Sequence, residues 1–221
     1  MIRPSLSMLG VGTGLASFTS SSTVFSMSAV NLLSRRVWRL EINVRRVVFM
    51  AAGSVAGAFA GAYALNYIGD RMISIGFILV LLGISILTGC KRKIKPLGLD
   101  SALLQWGVGG GTGFLSGLFG IGGGPFQMGA LLLLFGLNPK EAALQSIFIT
   151  MLTSAASVIQ YGLNGFMDFS ICLYTIPGGI IGGLLGGVVS KHIKQSHVSA
   201  LFILMISLAA FSQLYMLFKG A

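Results

Sequence analysis

The chain alternates between long apolar stretches and short clusters of charged residues. Apolar runs of about 20 residues match the length of a helix that crosses about 30 Å of hydrocarbon. One run is much shorter: Phe126 to Gly136 has 11 residues, about 16 Å of helix, and is predicted to be a half-helix. The predicted helices are about Leu15 to Leu33, Val47 to Ile68, Met72 to Gly89, Ser101 to Phe119, Phe126 to Gly136, Ala142 to Tyr161, Phe169 to Ser190 and Val198 to Phe218.

A glycine-rich break interrupts the longest charge-free run, Ser101 to Pro139. It consists of Gly122, Gly123, Gly124 and Pro125. Glycine costs about 1 kcal/mol and proline about 3 kcal/mol inside a helix, so the helix is expected to stop here. Non-helical backbone at membrane depth is tolerated only where protein or a water-lined cavity satisfies its polar groups. Consecutive N–H groups beside a helix N-terminus favour an anion.

Composition and charge indicate a multi-pass protein of the cell membrane. Hydrophobic residues make up 54% of the chain, mean hydropathy is +0.89, and only 9% of residues are charged, against about 25% in soluble domains. The net charge of +10 could suggest nucleic acid, but the basic residues lie in short clusters between apolar runs, as the positive-inside rule describes. The clusters at 35–46 and 91–95, with Lys191 and Lys194, are therefore predicted to be cytoplasmic, and the loop at 164–168 to lie outside.

Few side chains in the predicted spans could support catalysis or bind a metal. Cys90 and Cys172 show no ligand spacing and are interpreted as small core residues. Glu141 and Asp168 lie at predicted membrane edges, where a role at a helix start is favoured over proton coupling. Spans without Asp, Glu or His offer no general base. The chain is therefore predicted not to be an enzyme, and to need no metal and no cofactor.

The chain contains an internal repeat. The segment Gly53 to Gly61 aligns with Gly178 to Gly186 at an offset of 125 residues. This predicts one transmembrane domain over 1–221, built from a first repeat at 1–95 and a second at 96–221. The repeat-equivalent loops at 35–46 and 162–168 fall on opposite sides of the membrane, so the repeats are predicted to be inverted, as in many secondary transporters. The predicted fold class is an all-α polytopic membrane protein with a glycine-broken, re-entrant helix at its centre.

The segment from Gly120 to Ser146, G-I-G-G-G-P-F-Q-M-G-A-L-L-L-L-F-G-L-N-P-K-E-A-A-L-Q-S, resembles the TauE/SafE family of sulfite exporter-like transporters. The resemblance extends over nearly the whole chain, with an N-G-x-x-D turn at Asn164 to Asp168 and a glycine-rich span after it. It implies export of sulfite or organosulfonates, with the lipid bilayer and a small anion as partners. Neither nucleic acid nor a cofactor is expected, and a homo-oligomer is left open.

The chain departs from the family pattern in two places. Each family repeat carries its own G-x-G-G-G, and here the first would fall before Met1, so either the start was assigned too late or the product is truncated. A non-transporting remnant or an accessory membrane subunit is therefore the alternative function. The second departure is Leu144-Gln145-Ser146, where the family has Ala-Thr-Ser, which leaves substrate choice open.

The predicted anion site combines break glycines with neutral donors, because a buried Arg would be costly at this depth. The competing interpretation is that the glycines only permit close packing and that the hydroxyls bond back to their own helices. The predicted substrate-binding residues are Gly122, Gly123, Gly124, Gln127, Gln145, Ser146 and Thr150, with Thr19, Ser20 and Ser21 from the first repeat.

Overall fold

A computed structural model describes residues 12–34, 43–89, 101–192 and 195–219 of the chain. Every regular element in these ranges is an α-helix, which confirms the predicted all-α class. The helices are α1 Thr13–Ser34, α2 Val44–Ala64, α3 Asp70–Gly89, α4 Ala102–Phe119, α5 Gly124–Leu133, α6 Pro139–Leu163, α7 Cys172–His192 and α8 Gln195–Lys219.

Helix α2 begins earlier than the sequence predicted. Arg45 and Arg46 were assigned to a basic loop, but they lie in the first turn of this helix. The cause is a cap: the side-chain oxygen of Asn43 accepts the N–H of Arg46 at 3.1 Å, which satisfies one of the free donors at the helix start. Most of the two basic clusters, at 35–42 and 91–95, lies outside the described residues, so the predicted sidedness stays a prediction.

The half-helix α5 is shifted towards the break. It begins at Gly124 with Pro125 in its first turn, where proline's missing N–H has no intrahelical partner to lose. It ends at Leu133 rather than Gly136, and Gly136 has a φ of 63°. The helix has 10 residues, about 15 Å, so the predicted half-length is confirmed.

Within the described part of the chain, three helical segments have the length and apolar composition of a complete membrane span. They are Val44–Ala64 in α2, Pro139–Leu163 in α6 and His197–Tyr215 in α8. Shorter apolar stretches occur in α3, α5 and α7. Large apolar side chains are exposed along most helices, among them Leu79, Leu185 and Phe211, which suits an environment of lipid.

Contacts at the helix ends show how the long helices are directed. The Arg46 guanidinium lies 5.2 Å from the ring centroid of Phe135, near the start of both α2 and α6. At the other end, Asn164 Nδ2 donates to the carbonyl of Ala62 at 2.9 Å, so α2 and α6 run in the same direction. Helix α1 runs the opposite way, because Gly14 at its start lies against Phe166, just beyond the end of α6. The inversion of the repeats, like their division into 1–95 and 96–221, stays a prediction.

Helices α2 and α4 carry glycines on the faces where they meet, so their backbones are in direct contact along this seam. Glycines on α2 recur every four residues, and a Cβ added to any of them would overlap the α4 backbone. The same holds in reverse for the glycines of α4 against α2. Small residues at this spacing are typical of helices that pack closely in membranes. The glycines of this seam are Gly53, Gly57 and Gly61 on α2 and Gly109, Gly113 and Gly117 on α4.

Helix α7 uses only one of its two glycine stripes inside the described structure. Gly179 and Gly183 lie against Thr23 and Met27 of α1, where an added Cβ would come within 2.5 and 2.8 Å of side-chain atoms. The neighbouring stripe has no atom within 4 Å of its Cβ positions among the described residues. That open stripe consists of Gly178, Gly182 and Gly186, which the sequence repeat equates with the packed glycines of α2.

Candidate functional site

The glycine break forms a tight turn of left-handed backbone between α4 and α5. Gly120 ends α4 with a φ of 63°, and its N–H returns to the Ser116 carbonyl at 2.9 Å. Gly122 and Gly123 follow with φ values of 78° and 83°. An L-residue in this conformation costs roughly 1–2 kcal/mol, so the backbone path requires glycine at these positions. The sequence predicted this interruption from composition alone.

The break lies deep inside the bundle. Ser154 Oγ donates to the carbonyl of Gly122 at 3.2 Å, and Thr150 contacts Gln127 of α5. Thr150 and Ser154 are both near the middle of α6, the longest of the apolar spans that pack around the break. The non-helical backbone is therefore near the centre of the span, where it needs protein or a polar ligand to satisfy it.

A row of backbone donors at the start of α5 has no acceptor among the described residues. The N–H groups of Ile121, Gly122, Gly123 and Gly124 make no hydrogen bond there, and the first return bond of the helix runs from Gln127 N to the Gly123 carbonyl at 3.0 Å. Free N–H groups at a helix start carry partial positive charge, which the helix dipole reinforces. Such a row is suited to an anion without any cationic side chain.

The side chain of Gln127 fastens α5 to α6. It is fully buried, donates from Nε2 to Thr153 Oγ1 at 2.8 Å, and accepts the Thr150 hydroxyl on Oε1 at 2.5 Å. Thr153 in turn donates to the Ile149 carbonyl at 2.8 Å. Two residues of the predicted site, Gln127 and Thr150, are thus in contact, and their bond orients the start of the half-helix. Thr153 was not predicted.

We expect Thr153→Val to destabilise the protein by on the order of 1 kcal/mol, because it leaves the buried Gln127 amide without its acceptor. Thr153→Ser keeps the hydroxyl and should melt close to the unmodified protein. Melting of the detergent-solubilised protein, followed by gel filtration after heating, measures the difference. Equal melting temperatures of the Val and Ser variants would show that the hydrogen bond between Gln127 and Thr153 contributes nothing to stability.

Two serine hydroxyls beside the break are buried and make no hydrogen bond to any residue that the structure describes. Ser116 Oγ, on α4, lies 2.8 Å from the position that a Cβ on Gly123 would take. Ser17 Oγ, on α1, lies directly against Gly120. A buried polar group without a partner costs free energy and requires an explanation, such as an absent ligand. The sequence analysis missed both serines, although Ser116 is one helical turn before Gly120 and could have been found by that spacing.

A cavity of about 410 Å³ opens beside the start of α5. Gly124 and Pro125 lie at its wall, together with Thr150 and Ser146 of α6. The Ser146 hydroxyl donates to its own helix, to the Ala143 carbonyl at 2.9 Å. No charged side chain lines the cavity in the described part of the chain.

The predicted residues of α1 do not reach this cavity. Thr19, Ser20 and Ser21 are buried in the bundle, and none of them lines its wall. The Thr19 carbonyl accepts the hydroxyl of Thr23 at 2.9 Å, an interaction within the helix. Helix α1 presents Val24, Met27 and Ser28 to the cavity instead.

Gln145 also lies outside the cavity wall. It is buried, at 3% exposure, and its Oε1 atom has no hydrogen-bond partner in the described structure. The structure therefore brings Gly124, Ser146 and Thr150 together at one cavity, with Gly122, Gly123 and Gln127 next to it. It does not place Gln145 or the three α1 residues there.

The carboxylates considered for proton coupling lie at helix starts. Asp168 Oδ1 accepts the N–H of Ser170 at 2.8 Å, just before α7, and this hydrogen bond lowers the pKa of the Asp168 carboxyl below its ordinary value. Glu141 lies in the first turn of α6. Both positions agree with the predicted role at a helix start. Among the described residues, no group of three His, Cys, Asp or Glu side chains could hold a metal ion.

Comparison with known proteins places these features in a family context. Residues 1–212 match the family model described as "Sulfite exporter TauE/SafE". The chain is 30% identical to the "Probable membrane transporter protein YunE" of Bacillus subtilis over 66% of this chain and 61% of that protein. It is 27% identical to the "Probable membrane transporter protein YdhB" of the same organism over 80% of this chain and 72% of that protein.

A further relative, a "Probable membrane transporter protein" of Xylella fastidiosa, is 26% identical over 86% of this chain and 76% of its own length. The chain thus spans about three fifths of the length of YunE and about three quarters of the others. No solved structure matches the chain.

Proposed function

The chain belongs to the sulfite exporter TauE/SafE family, and we propose that it transports small anions across the cell membrane, with sulfite and organosulfonates as the first candidate substrates. The anion would bind at the start of α5, at the glycine break. Gly122, Gly123 and Gly124 would supply backbone donors, with Thr150 and Ser146 at the adjoining wall. Gln127 would hold the half-helix in place rather than contact the anion, because both ends of its amide are already hydrogen bonded.

The row of free N–H groups from Ile121 to Gly124 is the observation that carries this proposal. The unpartnered hydroxyls of Ser17 and Ser116 lie beside the same turn, and among the described residues no carboxylate lines the adjoining cavity. Neutral donors can hold an oxyanion at membrane depth without the cost of a buried cation. They also leave the complex weak enough for the anion to depart, which a transporter requires.

The predicted Thr19, Ser20, Ser21 and Gln145 remain candidates only for another stage of transport. In this conformation they are buried, and none of them lines the cavity. Transporters of repeated architecture alternate between conformations around a fixed site, so residues buried in one state can line the path in another.

Flux through the purified protein in liposomes tests the proposal directly. Vesicles loaded with radiolabelled sulfite or methanesulfonate should release the label faster than protein-free vesicles, and excess unlabelled anion outside should exchange with it. Radiolabelled glucose, trapped in parallel vesicles, controls for leakage. Release of sulfite and glucose at equal rates, or no release above protein-free vesicles, would contradict transport by this chain.

A second candidate function is that of a subunit acting with another membrane helix. The open stripe Gly178, Gly182 and Gly186 favours it, because the equivalent glycines of α2 are covered by α4. Under this hypothesis the chain alone gives no flux, and a larger complex extracted from the native membrane does. The mass of the complex in mild detergent, measured beside the flux of each preparation, separates the two functions.

A further inference from the structure

The cavity beside the break is much larger than a bare oxyanion requires. Its volume of about 410 Å³ is more than ten times the roughly 30 Å³ that one water occupies in the liquid. Sulfite, with a few heavy atoms, would occupy only the part next to the N–H groups. Cavities of roughly 300–1,000 Å³ typically hold ligands of drug size.

The wall of the cavity is almost entirely apolar. Beyond Ser28, Ser146 and Thr150, hydrocarbon, thioether and aromatic side chains from five helices form it. Phe77 and Leu81 come from α3, Met128 from α5, and Phe202 and Met205 from α8. Such a surface gives an ionised headgroup nothing to bind, whereas it favours a hydrocarbon chain by burying its surface.

Polar and apolar binding features are therefore separated within one site. Ile121 and Gly124, whose N–H groups are free in the described structure, line the cavity, and the unpartnered Ser116 hydroxyl lies beside Gly123. The residues that α3 and α8 contribute to the same cavity are all apolar. Methionine side chains at the wall are flexible and can adapt to chains of different shape.

We propose that the site takes an amphiphilic anion: a sulfonate or similar oxyanion headgroup bound at the glycine break, carrying an apolar group of several carbons that fills the cavity. This inference rests on the proposed anion site and narrows its substrate class. Bare sulfite would bind more weakly than a longer alkyl sulfonate, because it leaves the apolar cavity empty.

A homologous series of ligands tests the inference on the unmodified protein. Binding of methane-, propane- and hexanesulfonate and of sulfite is measured by titration calorimetry with the full chain in lipid nanodiscs, and the signal from empty nanodiscs is subtracted. Each added methylene should tighten binding about threefold to fourfold until the cavity is full. 1-Hexanol, which has the tail without the charge, should bind far more weakly than hexanesulfonate.

The outcomes distinguish the inference from the function on which it rests. Sulfite and methanesulfonate binding as tightly as hexanesulfonate would overturn the amphiphile inference and leave the anion site standing. Hexanol binding as tightly as hexanesulfonate would overturn both, because the cavity would then be an apolar pocket with no anion site. Absence of binding by every member of the series would also overturn both.

A cavity-filling variant gives an independent readout. Ala143 lines the cavity on α6, and Ala143→Phe should remove most of the gain in affinity between methane- and hexanesulfonate while leaving methanesulfonate binding within about threefold. Ala52→Phe, on the exposed face of α2, is the matched control and should keep the full chain-length dependence. An unchanged series in Ala143→Phe would place the tail outside this cavity and overturn the inference.

Discussion

Replacing Gly123 with alanine should reduce sulfite flux in liposomes to the level of protein-free vesicles. Gly123 has a φ of 83°, where an alanine costs roughly 1–2 kcal/mol. Its new Cβ would lie 2.8 Å from both Gln127 Nε2 and Ser116 Oγ, closer than methyl groups are tolerated. Either these two buried side chains or the backbone of the break must shift to relieve the contacts, and each displacement disturbs the site that we propose for the anion.

Gly165→Ala is the matched control for backbone strain. Gly165 has a φ of 82°, almost the same as Gly123, but it lies in the loop after α6, and no atom lies within 4 Å of its Cβ position. Both variants therefore carry the same conformational cost, and only Gly123→Ala disturbs the break. We expect the Gly165 variant to retain most of its flux and both variants to remain monodisperse in detergent.

Flux and folding are measured together, because an unfolded variant would also be inactive. The flux of each variant is divided by the protein content of the liposomes. The melting temperature in detergent shows whether the variant is folded. If Gly123→Ala transports as well as Gly165→Ala at equal protein content, the glycines serve packing alone and the anion does not bind at the break.

The sequence predicted the elements that depend on local chemistry. The lengths of the apolar runs predict the helices and the half-length of α5. The poor fit of Gly122 and Pro125 to a helix interior predicts the position of the break. The close packing of α2 follows from its glycine spacing. Each of these properties is encoded within one segment and does not need knowledge of its neighbours.

The residues that face the break could not be predicted in this way. Helix α1 has a run of hydroxyl residues around its circumference, and nothing within the run says which face meets the break. In the folded protein Val24 and Ser28 line the cavity, whereas Thr19 and Ser21 are buried and do not line it. The wall from α8 is entirely apolar and carried no signal of a binding role.

The α7 glycines show a different limit of sequence reasoning. The repeat equates Gly178 and Gly182 with Gly53 and Gly57, and an equal role would be expected. In the described structure the α2 glycines meet α4, whereas Gly178 and Gly182 face no neighbour. A repeated motif predicts the capacity for close packing, and a partner must be present for that capacity to be used.

The second large effect is expected at the seam between α2 and α4. Gly57→Ala would place a Cβ in overlap with the carbonyl oxygen of Gly110 and 2.8 Å from the N atom of Phe114. These are backbone atoms, so no rotamer change can relieve the overlap, and the two helices must separate. Overpacking of this kind typically costs about 1–3 kcal/mol, and more where backbone must move.

Gly111→Ala, on α4, the other helix of the seam, is the control. Gly111 is on the outer face of α4, with no atom within 4 Å of its Cβ position. Alanine is a better helix former than glycine by about 1 kcal/mol, so this variant should melt at or above the temperature of the unmodified protein. Melting in detergent compares the two, and equal melting temperatures would show that α2 and α4 are not in backbone contact.

The seam variant should also lose flux, because α4 leads directly into the break. Separation of α4 from α2 displaces Gly117 and Ser116, which precede the turn at Gly120. A Gly57→Ala protein that still folds at low temperature should therefore show reduced flux, with Gly111→Ala unchanged. Loss of stability with full flux at low temperature would mean that the position of the break is set by α6, through Ser154 and Gln127, and does not depend on the seam.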